Sequence, residues 1–165
     1  MKIFVAVLLA GLVSPGWAHA AAEKPTEPVP RFVTLRANVV NLRTGPGNRY
    51  PIEFVYHRKG YPLEVVAEFD QWRKVRDWQG TEGWVHQRMV TGARSVVIQG
   101  TQRVLRKDAD ASAAPVAKLD PGVIAHLLEC HDAWCRIEIA NGASDVKGWL
   151  GRGDIWGVLP GEVVK

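Results

Sequence analysis

Residues 39–52 read Val-Val-Asn-Leu-Arg-Thr-Gly-Pro-Gly-Asn-Arg-Tyr-Pro-Ile, an apolar run that ends in a loop of glycine and proline. Glycine tolerates positive φ and proline fixes φ, so this composition predicts a strand that breaks into a tight loop. Further short β-type runs follow at small intervals, at residues 60–66, 71–75 and 82–85. Short strands separated by turn residues in this way predict a small, strongly bent β-barrel.

The same pattern occurs twice in the chain. Residues 31–36 align with residues 94–99, and the same offset, 94 − 31 = 63, aligns Leu42-Arg43 with Leu105-Arg106. With small changes in loop length, further equivalent positions are Pro51 and Pro115, Gly60 and Gly122, Trp72 and Trp134, and Gly83-Trp84 and Gly148-Trp149. Because no window offers a sustained helical stripe, the repeat predicts two all-β units, residues 31–93 and 94–165.

The first unit resembles the bacterial Src-homology-3-like (SH3-like) domain. That family's pattern runs through a Leu-Arg strand, a Gly-Pro loop, a Tyr-Pro pair, a glycine before a strand, a tryptophan hairpin and a closing Gly-Trp. In this sequence the marks stand in the same order, at Leu42-Arg43, Gly45-Pro46-Gly47, Tyr50-Pro51, Gly60, Trp72 and Gly83-Trp84. The resemblance spans nearly the whole chain after its first residues and implies an all-β fold of two tandem small SH3-like β-barrels.

The N-terminus has the pattern of a secretory signal peptide. Lys2 precedes a short apolar core, and Ala18-His19-Ala20 supplies small residues before the expected cut. The apolar core is too short to span a bilayer, and no cysteine lies at the cleavage site to carry a lipid anchor. We therefore expect residues 1–20 to be removed near Ala20 and the mature protein to be periplasmic or secreted. Residues 21–30 are rich in proline and poor in apolar residues, which predicts a flexible leader.

The charge is unevenly distributed between the two units. Residues 31–93 hold ten Arg or Lys against six Asp or Glu, whereas residues 94–165 hold nine of each. An exported chain rarely meets nucleic acid, so the basic first unit favours an anionic envelope component over nucleic acid as its counterpart. A merely solvated surface is the alternative.

Cys130 and Cys135 flank a predicted hairpin turn at His131-Asp132-Ala133. Cysteines opposite each other across a hairpin lie at a separation that a disulfide accepts, and an oxidising compartment favours that bond. The aligned residues in the first unit are Glu68 and Arg73, an opposite-charge pair, so both units place an attractive couple at this position.

Strand alternation predicts the direction of the side chains around the cysteines. It places Leu128 and Cys130 on one face and Leu127 and Glu129 on the other, and after the turn it sets Cys135, Ile137 and Ile139 against Trp134, Arg136 and Glu138. A zinc set of His126, Cys130, His131 and Cys135 is disfavoured, because alternation sends His131 away from Cys130. A redox Cys-x-x-Cys pair is excluded, since four residues separate the two cysteines.

We expect no enzymatic activity. Cell-wall cysteine peptidases often carry SH3-like domains, but both cysteines here are assigned to the disulfide, and the remaining length holds no separate catalytic domain. Ser95, Ser112 and Ser144 lack a Gly-x-Ser-x-Gly context, and the Gly45-Pro46-Gly47 loop lacks the Lys-Ser/Thr of a phosphate-binding loop. No metal site or cofactor is predicted.

The resemblance implies a ligand groove between the Gly-Pro loop and the tryptophan hairpin. Its floor would be Tyr50, Trp72 and Trp84, and its rim would be Arg43, Arg49 and His86. Aromatic rings supply apolar area at low entropic cost, and arginines pair with carboxylates. Trp84 has an alternative role as a residue that packs the barrel core, whereas alternation points Trp72 outward and makes it the stronger candidate for ligand contact.

The second unit replaces the Gly-Pro-Gly loop by residues 107–115 and has no tyrosine there. We therefore assign binding to the first unit and a supporting role to the second. The sequence predicts a non-enzymatic exported binding module that recognises peptidoglycan, whose stem peptides carry carboxylates, or another anionic envelope ligand. The alternative is a protein-interaction or scaffold module that docks a periplasmic partner through a short extended peptide.

Overall fold

A computed structural model describes residues 27–140, 142 and 144–165, and it confirms an all-β chain of two similar units. The predicted signal peptide and the first part of the leader lie outside the described residues. In the described part of the chain, no helix is long and apolar enough to cross a membrane.

Each unit is a coiled seven-stranded antiparallel sheet, called here the first and the second barrel. The strands of the first barrel are β1 (Arg31–Leu35), β2 (Val40–Arg43), β3 (Ile52–Tyr56), β4 (Pro62–Phe69), β5 (Trp72–Arg76), β6 (Glu82–His86) and β7 (Val90–Thr91). Those of the second are β8 (Ser95–Ile98), β9 (Arg103–Arg106), β10 (Pro115–Leu119), β11 (Ile124–His131), β12 (Trp134–Ile139), β13 (Val146–Gly151) and β14 (Ile155–Trp156). The strand orders are β3-β2-β6-β5-β4-β1-β7 and β10-β9-β13-β12-β11-β8-β14, so the two topologies are identical.

Each barrel has its own apolar core, built from the inward-facing residues of its strands. The first core includes Leu35, Leu42 and Val75, and the second includes Ile98, Leu105 and Ile137. A 3₁₀ turn, Gln87–Met89 in the first barrel and Arg152–Asp154 in the second, leads into the last short strand.

The predicted alternation around the cysteines is partly wrong. The register between β11 and β12 shifts between Leu127 and Glu129, which is a bulge of one residue. Because of this bulge, Leu127 and Cys130 both face the core, although an unbroken alternation would put them on opposite faces. The first barrel carries the matching shift between Val65 and Ala67.

The predicted disulfide between Cys130 and Cys135 is confirmed, with the two Cα atoms 4.1 Å apart. Both cysteines are fully buried in the second core. At the equivalent position of the first barrel, Glu68 faces Arg73 in register, and the Arg73 Nε lies 2.8 Å from the Glu68 carboxylate.

The two barrels pack through the outer faces of β1 and β8. Phe32 and Thr34 alternate with core residues of the first barrel, and Ser95 and Val97 do the same in the second, yet all four are buried. A strand buried on both faces must be covered by a second layer, which here is the other barrel. The Thr34 and Ser95 hydroxyl oxygens lie 2.7 Å apart in a buried hydrogen bond.

Phe32 is buried in this interface. Its ring meets the edge of the Trp156 ring at 4.8 Å between centroids, and the Arg94 guanidinium lies 5.8 Å from its centroid. Aromatic and cation–π contacts of this kind add to the area buried and fix the orientation of the rings. The tandem is therefore joined by a packed interface and not by a linker alone.

Candidate functional site

One outer face of the first barrel carries four of the six side chains predicted to bind a ligand. Trp84 on β6 stands between Arg43 on β2 and Lys74 on β5. Trp72 on β5 stands opposite His86 on β6. Their neighbours in sequence, such as Leu42 and Val85, point into the core. We call the outer set of Arg43, Trp72, Lys74, Trp84 and His86 the aromatic face.

The close approach of β6 to β2 explains why Leu-Arg and Gly-Trp occur together. A Cβ placed on Gly83 would lie 2.5 Å from the Leu42 Cγ and 2.9 Å from the Arg43 carbonyl oxygen. Only glycine allows the leucine to close the barrel at this point. The next residue on each strand, Arg43 and Trp84, then meets on the outside.

Arg43 holds the Gly-Pro loop against this face. Its Nη1 donates to the carbonyl oxygens of Tyr50 at 2.7 Å and of Asn48 at 3.2 Å. Within the loop the Tyr50 ring lies over Gly45, where a Cβ would stand 2.4 Å from the ring. The guanidinium of Arg49 lies 5.2 Å from the centroid of the Tyr50 ring and donates to its hydroxyl oxygen at 3.3 Å. Tyr50 is therefore fixed between Gly45 and Arg49 beside the aromatic face.

Trp72 and His86 form the other end of the face. Their rings meet edge to face at 5.4 Å between centroids. The His86 Nδ1 accepts from the Arg88 amide at 3.1 Å, so the proton sits on Nε2, which donates to the Gln71 Oε1 at 3.0 Å. Trp72 lies on the outside of the sheet as predicted, but it is only 9 % exposed. It therefore supports His86 more than it offers a free surface.

The structure places Trp84 outside the core. It is half-buried on the outer face between Arg43 and Lys74 and does not belong to the apolar cluster of the first barrel. The interpretation of Trp84 as a core residue is wrong, because Gly83 and Val85 occupy the inward positions of β6. It stands opposite Arg43, whose guanidinium holds the Tyr50 carbonyl.

The sequence analysis did not predict the charged residues on and beside this face, which are Lys74, Arg76 and Glu82. Glu82 lies on the same side of β6 as Trp84, and its carboxylate is 3.0 Å from the Lys74 Nζ and 2.9 Å from the Arg76 Nε. Hydrogen bonds from Lys74 and Arg76 hold the pKa of Glu82 below its usual range. Period-two alternation along β5, counted from Trp72, would have found Lys74 and Arg76.

A second aromatic group lies apart from this face and is organised by the buried Asp77. One Asp77 carboxylate oxygen accepts from the amides of Gln79 and Thr81, and the other accepts from the Tyr56 hydroxyl at 3.2 Å. Burial raises the pKa of Tyr56, so this phenol remains a donor. The Tyr61 ring lies 5.3 Å from the Tyr56 ring between centroids, and burial raises the pKa of Tyr61 to about 12.

The second barrel repeats the backbone of the site but not its side chains. The Lys107 amide donates to the Ala114 carbonyl, as the Thr44 amide donates to the Pro51 carbonyl in the first barrel. The Arg106 Nη1 donates to the Ala113 carbonyl, as Arg43 donates to the Tyr50 carbonyl. Arg106 stands opposite Trp149, as Arg43 stands opposite Trp84. The residue in the place of Tyr50 is therefore Ala113, and Ala114 takes the place of Pro51, so the predicted equivalence of Pro51 and Pro115 is wrong by one residue. In the second barrel no tyrosine ring covers the loop, and the place of Gly45 is taken by Asp108, which has a side chain.

The two barrels differ in side chains and not in the backbone of the loop. The loop of residues 107–115 was expected to differ because it lacks Gly-Pro-Gly, yet its hydrogen bonds match those of the first loop. Trp134 stands opposite Gly151, where the first barrel has the pair Trp72 and His86. Instead, His131 meets the ring of Trp149 at 5.3 Å. The second barrel thus lacks the tyrosine and the histidine of the first.

A family model described as bacterial SH3 domain matches this chain twice, over residues 36–92 and residues 99–157. Among solved structures, NlpC2 from Trichomonas vaginalis is similar at 10 % identity and a TM-score of 0.36, with 79 % of this chain and 49 % of that chain covered. An NlpC/P60 family protein from Bacillus cereus is similar at 15 % identity and a TM-score of 0.34, with 76 % and 55 % covered. This chain therefore spans about half the length of those structures. None of the curated proteins matches it.

Proposed function

The chain belongs to the bacterial SH3 domain family, and from that premise we propose that it is a non-enzymatic exported protein whose first barrel binds peptidoglycan or another anionic component of the cell envelope. The observation that carries the proposal is the position of Arg49 and Tyr50 in the loop that Arg43 holds, with Trp84 opposite Arg43 on the neighbouring strand. Such a surface offers flat rings for apolar groups and guanidinium groups for carboxylates.

The charges on the first barrel support an anionic ligand at this surface. Most of the arginines and lysines on its strands are paired with carboxylates, as Arg73 is with Glu68 and Lys74 with Glu82. In the described part of the chain, Arg43 and Arg49 have no carboxylate partner within 4 Å. The loop therefore carries positive charge that an incoming carboxylate can neutralise.

The six predicted site residues take different parts in this proposal. Tyr50, Trp84 and Arg49 contact the ligand, since they are exposed or half-buried. Arg43 positions the loop, and the buried Trp72 positions His86 at the rim. Both cysteines of the chain form the disulfide, so neither thiol is available as a nucleophile for the chemistry of a cysteine peptidase.

Co-sedimentation with purified peptidoglycan sacculi across a salt series tests this proposal. We expect retention at low salt that weakens as salt rises, because the contacts are charged. Trp84→Ala should reduce the retained fraction, whereas Trp149→Ala, the matched change in the second barrel, should leave it unchanged. Arg49→Ala should weaken binding by about 10-fold, the range for a hydrogen bond to a charged group. Equal losses in the two tryptophan variants, or no retention at low salt, would refute the proposal.

One observation favours the second candidate, a module that docks a partner protein through an extended peptide. β3 is an edge strand of the first sheet, and Ile52 and Phe54, two residues apart on it, are 48 % and 47 % exposed. An exposed edge with apolar side chains on one side can accept an added strand. Binding of that kind should resist salt and should be lost in Phe54→Lys, while Trp84→Ala leaves it intact.

A further inference from the structure

A cleft of about 160 Å³ lies between the two barrels, away from the aromatic face. Arg58, Lys59 and Gly60, in the turn between β3 and β4, form its wall on the side of the first barrel. On the side of the second barrel it is lined by the outward-facing residues Ile124 and His126 of β11 and by residues near the end of β12. Neither barrel alone encloses this space.

The cleft is positively charged. Arg58 and Lys59 are exposed, and in the part of the chain that the structure describes neither makes an ion pair. The acidic residue that lines it, Glu138, is bound to Lys147 with 2.7 Å between the Nζ and the carboxylate. The hydrogen bond from Lys147 holds the pKa of Glu138 below its usual range. Glu138 also stands opposite His126 on the neighbouring strand, but its ion pair is with Lys147, so Arg58 and Lys59 have no carboxylate of their own among the described residues that line the cleft.

The barrel interface holds the walls of the cleft in place. Ser95, which lines the cleft, is fully buried and shares its hydrogen bond with Thr34 of the first barrel. The Phe32 ring packs on the edge of the Trp156 ring in the same interface. The backbone that carries Arg58, Lys59 and His126 is therefore held by the barrel interface, which lowers the conformational cost of binding.

We propose that this inter-barrel cleft is a second binding site of the protein, specific for a compact oxyanion such as a carboxylate or a phosphate group. Arg58 binds the oxygens through its planar fork of donors, Lys59 adds a point charge, and His126 supplies a ring nitrogen from the opposite wall. Glu138, paired with Lys147, orders the β12 wall without neutralising Arg58 or Lys59. The cleft shares no residue with the aromatic face, so this proposal can be tested separately from the proposed binding of the cell wall.

Two-dimensional amide NMR of the exported full chain, titrated at constant ionic strength, tests the proposal. Inorganic phosphate and acetate are the two probes, and they separate the two sources of the oxyanion. We expect saturable shifts of the amides of residues 58–60 and 124–126 with at least one probe. Shifts that do not saturate, or that spread evenly over all exposed basic residues, would show that the cleft is not a site.

Matched variants separate the site from general electrostatics. Arg58→Ala with Lys59→Ala should raise the Kd of the bound probe by about 10-fold or more, because two charged contacts are lost. Arg88→Ala with Lys118→Ala removes the same charge from exposed positions outside the cleft, and it should change the Kd by less than about 2-fold. Ala140→Phe narrows the opening without changing the charge and should also weaken binding. Equal weakening in the first two double variants would overturn the proposal.

Discussion

The two barrels of this chain use one backbone to make two different surfaces. In both, an arginine on the second strand holds the following loop, and a glycine on the sixth strand admits a core leucine. Above this shared frame, the first barrel carries Tyr50, whereas the second carries Ala113 at the same place. The comparison teaches that the repeated positions maintain the shared backbone, and that the two surfaces differ at the positions which the repeat does not preserve, such as Tyr50 and Ala113.

In the hairpin of the fourth and fifth strands, one substitution between the repeats changes the ion pairs of a neighbouring arginine. In the first barrel Glu68 pairs with both Arg73 and Arg31. In the second barrel Cys130 replaces the glutamate, so Arg94, the residue aligned with Arg31, has lost its partner there. Arg94 pairs instead with Glu162 in the C-terminal segment. That segment also pairs Val164 with Cys130 and so covers the disulfide.

The largest effect is expected at the interface, where the barrels differ by Phe32 against Ser95. Phe32→Ala removes a ring that is 8 % exposed and packed on Trp156. Loss of a buried phenylalanine should cost about 3 kcal/mol and should separate the unfolding of the two barrels into two transitions. Denaturant unfolding followed by tryptophan fluorescence measures this. Phe69→Ala, whose ring is 60 % exposed, is the control and should change little. An unchanged stability in Phe32→Ala would mean that the barrels are energetically independent.

The disulfide should have the next largest effect, and it should act on the second barrel alone. Cys130→Ala with Cys135→Ala should lower the free energy of unfolding by about 2 kcal/mol, because the closed loop is short. Mass spectrometry with and without reductant tests for the bond itself, and denaturant unfolding measures its contribution.

The converse experiment transfers the bond to the first barrel. Glu68→Cys with Arg73→Cys should form a disulfide, since these residues stand in the same register as the natural pair. The gain in stability should be smaller than 2 kcal/mol, because Arg31 then loses Glu68. A transferred bond that stabilises as much as the natural one would show that the charge pair contributes nothing.

The sequence predicted the parts of this molecule that depend on pattern. Gly83-Trp84 and Gly148-Trp149 located the closing strands, and the alignment of Glu68 with Cys130 anticipated two different pairs at one hairpin position. The sequence pattern could not predict features that depend on a local shift in strand register or on packing between distant parts of the chain. The bulge after Leu127 reverses the face of every residue before it, and no residue type marks it.

The barrel interface was equally hidden from the sequence. Phe32 and Val97 stand at outward positions of their strands, so their burial depends on a neighbour that alternation does not reveal. For the candidate site, four of the six predicted residues lie on one outer face and the other two, Arg49 and Tyr50, lie in the adjoining loop, while their role in binding stays a prediction. The different role of each residue, such as the hydrogen bond from Arg43 to the Tyr50 carbonyl, could be recognised only from the side-chain contacts in the structure.

A smaller effect, with a pH signature, is expected at Glu162. Burial acts to raise the pKa of Glu162, but hydrogen bonds from Arg94 and the Leu159 amide outweigh it, and the pKa lies below its usual range. A carboxyl group with a lowered pKa stabilises the fold above its unfolded pKa, and this contribution is lost as pH falls through the folded value. Glu162→Gln should cost about 1 kcal/mol at pH 7 after screening by solvent, and almost nothing below its folded pKa. Thermal unfolding at several pH values measures this.

The control for Glu162 lies in the leader of the first barrel. Glu27 also pairs with an arginine, Arg31, but its side chain is 74 % exposed. Glu27→Gln should therefore have little effect at any pH. If the two variants lose equal stability, the C-terminal segment does not stabilise the second barrel in the way that the contacts indicate.

The smallest effect on stability, but the sharpest test of the comparison, is expected from the two arginines that hold the loops. Arg43→Ala and Arg106→Ala each remove a hydrogen bond to a loop carbonyl, at 2.7 Å and 2.8 Å, and each should cost about 1 kcal/mol or less. Retention on sacculi should fall only in Arg43→Ala, because the loop held by Arg43 carries Tyr50, whereas the loop held by Arg106 carries Ala113. Arg43→Lys keeps the charge but loses the double contact with the Tyr50 and Asn48 carbonyls, so it should recover only part of the retention. Full recovery would mean that Arg43 acts through its charge alone, and an equal loss in Arg106→Ala would mean that binding is not confined to the first barrel.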